Sequence, residues 1–209
     1  MQESQKQRGS DNMSQSKVLK LAYKNNGTIT SAMITEEKIS RGRPFTLFSK
    51  NRKTRTYSPC VYILPEVWDD EFLNAQTRYK KSVFSLGSAL FLLGLTDRTP
   101  AILTLTFPSS YNVTAPRNQG YRCNRVKNAE FNLGIITTTT PAGNLVKTYN
   151  AERTLCDIVK PSNRVDIQLI TAAFKQYMAS YKRNLPLLSE YAKILKVEKK
   201  IKPYIEVLQ

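Results

Sequence analysis

Residues 1 to about 13 are rich in Gln, Ser, Lys and Asp and almost devoid of apolar side chains. Such a segment buries too little surface to order itself, and a disordered tail is expected. From Ser14 the pattern changes. Val18, Leu19, Leu21 and Ala22 recur at helical spacing, Ser14 or Ser16 can cap the turn before them, and Asn25, Asn26 and Gly27 end the run. A helix is expected over 14–25. Thr28 to Thr30 reads as a short extended link, and Thr30 or Ser31 can cap a second helix from about Ala32 to Lys38. Pro44 suits the first position of a third helix, ending near Lys50 to Lys53. Beyond it Tyr57, Val61 and Ile63 alternate with polar residues around Pro59, the pattern of a two-stranded wing. Three short helices followed by a hairpin describe a winged helix-turn-helix over 14–64.

The stretch Pro65 to Phe72 breaks this pattern with four acidic residues, and a domain boundary is placed there. Residues 65–209 read as an α/β domain with a mixed sheet and C-terminal helices. Val83 to Leu95 is apolar enough for a buried helix capped by Ser85. Ala101 to Phe107 alternates as a strand with Leu103, Leu105 and Phe107 on one face. The segments YRCNRVK, LGIITTTT and NLVKTY are further strands, rich in β-branched and aromatic residues. Asn150 can cap a helix that turns Ala151, Leu155, Ile158 and Val159 inward. Helices near 163–180, 186–196 and 198–208 complete the α+β plan. The lysine-rich end KILKVEKKIKPY interleaves Ile194, Leu195, Val197, Ile201 and Tyr204, which marks a core-packed amphipathic helix with a solvated face.

Charge changes this picture. The 209 residues hold 32 basic and 16 acidic side chains, a net +16. Residues 1–64 hold 12 basic and 4 acidic residues, net +8, and the longer remainder holds 20 and 12, also +8. The smaller domain therefore has more than twice the charge density, which favours a polyanionic partner. The sequence shows no secretory leader, and its longest apolar run, ALFLLGL, is too short to span a bilayer. A soluble, cytoplasmic protein with no membrane partner is expected, starting at Met1 or Met13. Cys60, Cys123 and Cys156 form no C-x-x-C pair, so neither a disulfide framework nor a zinc site is indicated.

The basic surplus concentrates between Arg41 and Arg55, which holds six cations and no acid. On a helical wheel Thr46, Lys50 and Lys53 share one face, with Phe45 and Phe48 behind. In a winged helix this third helix enters the major groove. Ser40 begins the recognition segment. Arg43, Thr46 and Lys50 are best placed for base edges, because arginine can grip guanine in bidentate fashion and threonine can touch a thymine methyl. Arg41, Arg52, Lys53 and Arg55 suit phosphates, and Tyr57 supports the wing or reaches the backbone.

Catalytic chemistry finds little footing. The chain has no histidine, which removes Ser-His-Asp and Cys-His mechanisms and the commonest zinc ligand. The acids Asp69, Asp70 and Glu71, and then Glu152, Asp157 and Asp166, fix no metal-holding set. Glu152 and Asp157 lie about 140° apart around a helix, so they do not converge. No phosphate-binding glycine loop is present, and neither an enzyme nor a cofactor is expected.

Three segments of the second domain are similar to the AbiEi family of abortive-infection antitoxins, the antitoxin half of type IV toxin–antitoxin pairs. They are VFSLGSALFLLGLTDRTP (Val83 to Pro100), LTLTFPSSYN (Leu103 to Asn112) and VKTYNAERTLCDIVK (Val146 to Lys160). The resemblance extends over nearly all of 15–209, with KISR at Lys38 to Arg41 standing where the family often has G-I-S-R. It implies a winged-helix domain that binds double-stranded operator DNA, at inverted repeats upstream of its own operon, and represses that operon. It also implies a C-terminal domain that opposes a nucleotidyltransferase-like toxin without forming a stable complex with it. Glu152, Arg153 and Asp157 belong to the family motif and are read as structural, with Arg153 fastening helix to sheet through a carboxylate. The chain is expected to be a monomer that pairs on DNA. The competing readings are a repressor with a ligand-sensing C-terminal domain, a metal-dependent nuclease and an RNA-binding protein.

Overall fold

The computed structural model of the chain describes residues 17–39, 55–58, 61–64 and 69–208. Within these residues the protein is mixed helix and sheet, of the α+β class. Its contacts form two units. The first runs to Lys80 and includes Thr140–Asn144, and the second holds Lys81–Thr139 and Leu145 onward.

The first unit opens with helix α1 over 17–24, which buries Val18, Leu21 and Ala22 as their spacing predicts. The chain turns through Asn26 and Gly27, both at positive φ. Thr28–Thr30 is a strand, β1, and not the link expected from three residues alone. It pairs antiparallel with β3 (Val61–Ile63), across more than thirty residues of chain. Helix α2 (Ser31–Glu36) starts where expected, with the Thr30 hydroxyl accepting from the Met33 N–H at 3.3 Å. Strand β2 (Arg55–Ser58) pairs antiparallel with β3, giving the order β1-β3-β2. Ile29, Ile34 and Leu64 join the buried face of α1 in one apolar cluster.

Helix α3 (Glu71–Arg78) follows. The acid-rich stretch read as a boundary is here a helix start. Asp70 Oδ1 accepts from the Leu73 N–H at 3.0 Å as the N-cap. Its Oδ2 accepts from Thr140 Oγ1 at 2.5 Å and Asn144 Nδ2 at 2.8 Å, so this buried carboxylate is saturated within the first unit.

The second unit is built on a five-stranded mixed sheet with the order β6-β5-β4-β8-β7. Its strands are β4 (Val83–Phe84), β5 (Thr104–Pro108), β6 (Arg122–Val126), β7 (Ile135–Thr139) and β8 (Leu145–Tyr149). β5 and β6 run parallel, as do β4 and β8, while the β4–β5 and β7–β8 pairs are antiparallel. The expected single helix over 83–95 is therefore divided into β4 and α4 (Leu86–Leu92). Ser85 holds the cap position without capping, because its Oγ accepts from Thr106 Oγ1 at 2.8 Å instead. The expected inward face of β5 is buried, but so are Thr104 and Thr106 on the other face. Hydroxyl partners make that tolerable, since Thr104 N–H donates to Ser88 Oγ at 2.8 Å.

The short helices α5 (Thr114–Asn118) and α6 (Asn128–Phe131) flank β6. Helix α7 (Ala151–Ile158) is capped by Asn150, whose Oδ1 accepts from the Arg153 N–H at 3.0 Å. A 3₁₀ turn (Pro161–Asn163) leads to α8 (Ile167–Ala179), α9 (Leu185–Ile194) and α10 (Glu198–Leu208). Leu90, Leu155, Ile158, Phe174, Leu188 and Ile201 anchor the core these helices share. Tyr204 stacks on Phe174 with ring centroids 4.5 Å apart, so the lysine-rich C-terminal helix is docked by its apolar face. Ile194, included in that face by its spacing, is exposed.

Candidate functional site

The residues assigned to DNA recognition fall mostly beyond view. Ser40, Arg41, Arg43, Thr46, Lys50, Arg52 and Lys53 lie outside the described residues, as does the expected third helix. Arg55 and Tyr57 belong to strand β2, whose backbone alone is described.

The motif on α7 is fully described, and it is buried. Arg153 has no exposed surface. Its Nε donates to Asp157 Oδ2 at 2.8 Å, one helical turn on. Its Nη1 donates to the carbonyls of Glu130 and Leu133, the latter at 3.3 Å, and its guanidinium lies 4.6 Å from the ring centroid of Tyr149. Arg153 thus ties α7 to the α6–β7 segment and to β8. Asp157 Oδ1 accepts from Lys160 Nζ at 2.9 Å, so one carboxylate serves two cations. Glu152 points elsewhere and accepts from the Tyr177 hydroxyl at 3.0 Å. That hydroxyl in turn accepts from the Asn184 N–H at 2.7 Å. Arg153 Nε and Nη1, both Asp157 oxygens and Glu152 Oε1 are held in packing contacts, while the buried Arg153 Nη2 and Thr154 hydroxyl make no hydrogen bond, and Glu152 and Asp157 do not converge.

Burial also quiets the nucleophiles nearby. Desolvation first, and the Asp157 charge second, push the Cys156 thiol up to about 12. Desolvation raises Cys123 as well, against a smaller opposing pull from Arg117. Neither thiol is an activated one. Among the described residues no group of three His, Cys, Asp or Glu side chains is placed to hold a metal ion. No helix among them is long and apolar enough to cross a membrane.

Gly134 fixes the approach of β7 to α7. Its φ is +75°, and a Cβ there would stand 2.7 Å from Asn150 Oδ1 and 2.9 Å from Arg153 Cβ. Only glycine fits both the backbone conformation and the space.

A cavity of about 620 Å³ opens beside the C-terminal end of α7. The carboxyl-terminal halves of the parallel strands β5 and β6 form one wall, through Thr106 and Arg125. Ser85 and Leu86 from the β4–α4 junction, Arg117 from α5, and Asp157 and Lys160 complete much of the lining. Leu86 is buried and held at a φ of +49°, a conformation that costs a branched side chain about 1–2 kcal/mol. Strain of this kind gathers at ligand clamps and switch points. The sequence did not point to this cavity, because its cations come from three elements between residues 117 and 160. The faint signal is the arginine-rich β6, with Arg122 and Arg125 in a five-residue strand.

No family model matches the chain, and neither does any curated protein. Among solved structures it is similar to the crystal structure of the Rv2827c protein from Mycobacterium tuberculosis. The two share 16% identity and a TM-score of 0.49, over 87% of this chain and 75% of that one.

Proposed function

We propose that this chain is a type IV antitoxin of the AbiEi kind, a DNA-binding autorepressor without enzymatic activity. Its winged helix, over 14–64, reads operator DNA, and its second domain opposes a nucleotidyltransferase-like toxin. The observation that supports the DNA-binding half most is the order of elements in the first unit. Helix, strand and helix are followed by the basic interval 40–54 and then by a hairpin whose second strand pairs with the first strand. In a winged helix the recognition helix occupies that interval, and here it carries five cations and no acid. The burial of Arg153 and its ion pair with Asp157 support reading the α7 motif as a structural fastening.

The test is a fluorescence-anisotropy titration of the full chain against DNA from just upstream of its own operon, with scrambled DNA as control and at two salt concentrations. Preference for the upstream DNA is expected, lost in the Lys50→Ala, Arg52→Ala, Lys53→Ala variant. The salt slope should fall by about 0.9 for each phosphate contact removed. Equal, weak binding to both DNAs would remove the regulator half of the proposal. The antitoxin half is tested by co-expression with the product of the adjacent gene. A chain that fails to restore growth there is no antitoxin.

A further inference from the structure

The geometry points to a small-molecule site in the second unit. We propose that the cavity beside α7 binds a sugar phosphate, with the phosphate between Arg117 and Arg125 and the sugar hydroxyls on the neutral polar wall. This goes beyond the DNA-binding reading and stands on the second unit alone.

Size comes first. At about 620 Å³ the cavity falls within the range of small-ligand sites. Its charge is unbalanced. Among the described residues Arg117, Arg125 and Lys160 line it against one carboxylate, Asp157. That carboxylate is already shared between Arg153 and Lys160 at 2.8 and 2.9 Å. Among the described residues Arg117 and Arg125 form no ion pair. The Arg117 Nη2 donates to the Cys123 carbonyl only at the long distance of 3.5 Å. Two guanidiniums on one cavity repel each other, and a phosphate with three acceptor oxygens relieves that repulsion through paired N–H donors.

The rest of the wall narrows the ligand class. Ser109, Asn124 and Ser162 add hydroxyl and amide groups to those of Ser85 and Thr106. Among the described residues no aromatic ring lines the cavity, so a nucleobase finds no stacking platform there, whereas a polyhydroxylated group finds donors and acceptors throughout. The site is also braced. The Ser85–Thr106 hydroxyl pair is buried, the strained Leu86 adjoins it, and Arg153 holds Asp157 in place.

Isothermal titration of the full chain tests this with ribose 5-phosphate, AMP, ribose and inorganic phosphate. Saturable binding of ribose 5-phosphate is expected, with ribose and phosphate each at least tenfold weaker. AMP distinguishes two sources of the same chemistry. AMP is expected to bind more weakly than ribose 5-phosphate, as a free sugar phosphate requires, and tighter AMP binding overturns the exclusion of a base and with it the assignment to a free sugar phosphate. The Arg117→Ala, Arg125→Ala variant should bind at least tenfold more weakly, while Lys193→Ala, on α9 and outside the cavity, should bind as the parent does. Both arginines are exposed, so the double variant should keep its circular-dichroism spectrum and thermal midpoint. Absence of saturation by ribose 5-phosphate and AMP up to millimolar concentrations overturns the proposal. So does unchanged affinity in the folded double variant, or inorganic phosphate binding as tightly as the sugar phosphate. The operator titration is independent of each of these results.

Discussion

Replacing Arg153 with methionine keeps most of the buried volume and removes the charge. Asp157 then loses its contact to Nε but keeps Lys160 at 2.9 Å and some access to solvent, its side chain being 10% exposed. The carbonyls of Glu130 and Leu133 lose their shared donor, and the Tyr149 ring loses its cation. Removing one partner of a buried pair costs about 3–5 kcal/mol. With Lys160 remaining, Arg153→Met belongs at the lower end, about 3 kcal/mol. Asp157→Ala leaves the guanidinium at 0% side-chain exposure with no counter-charge beside it, and belongs at the upper end, about 5 kcal/mol. The double variant should cost less than the sum, with a coupling of about 2 kcal/mol. Against a total stability of about 5–15 kcal/mol these differences are large. Urea unfolding followed by far-UV circular dichroism measures all three, and hydrogen exchange over 130–136 should quicken in Arg153→Met. If Arg153→Met costs as much as Asp157→Ala, or if the coupling vanishes, the pair does not hold the guanidinium in place. The fastening role of Arg153 then fails with it.

Asp70→Ala removes the cap of α3 and the acceptor for Thr140 and Asn144. A loss of about 3 kcal/mol in chemical denaturation is expected, with Asp70→Asn between it and the parent. Gly134→Ala forces a Cβ into Asn150 and Arg153 at a positive φ, so the thermal midpoint should drop by several degrees for a cost above about 1 kcal/mol. Cys156, pushed up to about 12 by burial and then by Asp157, gives the folded state a proton that the unfolded chain releases near pH 9. The resulting stability is full below pH 9 and declines as pH rises toward 12, by at most about 1.4 kcal/mol per pH unit. Cys156→Val should lessen the fall in urea-derived stability between pH 8 and 9.5, below the range where the buried Tyr149 and Tyr177 hydroxyls add a fall of their own, and an unchanged slope there would exclude this thiol as the cause.

Much of the helical plan was legible because local signals agree with the tertiary outcome. Asn150 before the apolar positions of α7, Thr30 before α2, and Asn25 to Gly27 after α1 each act through backbone groups a few residues away. Strand β4 was not legible. Val83 and Phe84 sit in a long apolar run, and only their partners Thr106, Leu105 and Thr148 make them a strand. Helix α3 was hidden by its acids, because a carboxylate that caps a helix and one that marks a solvated linker look alike until Thr140 and Asn144 arrive. The alternation of β5 gave Leu103, Leu105 and Phe107 one face, but not the burial of Thr104 and Thr106 on the other, which rests on hydroxyl partners from Ser85 and Ser88 in the β4–α4 region. The cavity depends on Arg117, Arg125 and Lys160 converging from separate elements, which no spacing rule encodes. The basic run was evident from composition alone, and its fold lies outside the described residues.

The shortness of β4 bears on how the second unit assembles. Two residues join the β5–β6 pair to the β7–β8 hairpin, and the bond from Thr148 Oγ1 to the Phe84 carbonyl spans 64 residues of chain. Closing a loop of that length has an entropy cost growing as the logarithm of its length, and so brief a strand returns few backbone bonds against it. Each half of the sheet has its own extensive ladder. The halves therefore form early and meet late, once α4 and α7 have collapsed onto each other. The centre of this sheet, geometrically its most interior line, is thereby expected to be the last part to close and the first to part, an order that pulse-labelled hydrogen exchange at Val83 and Phe84 would check.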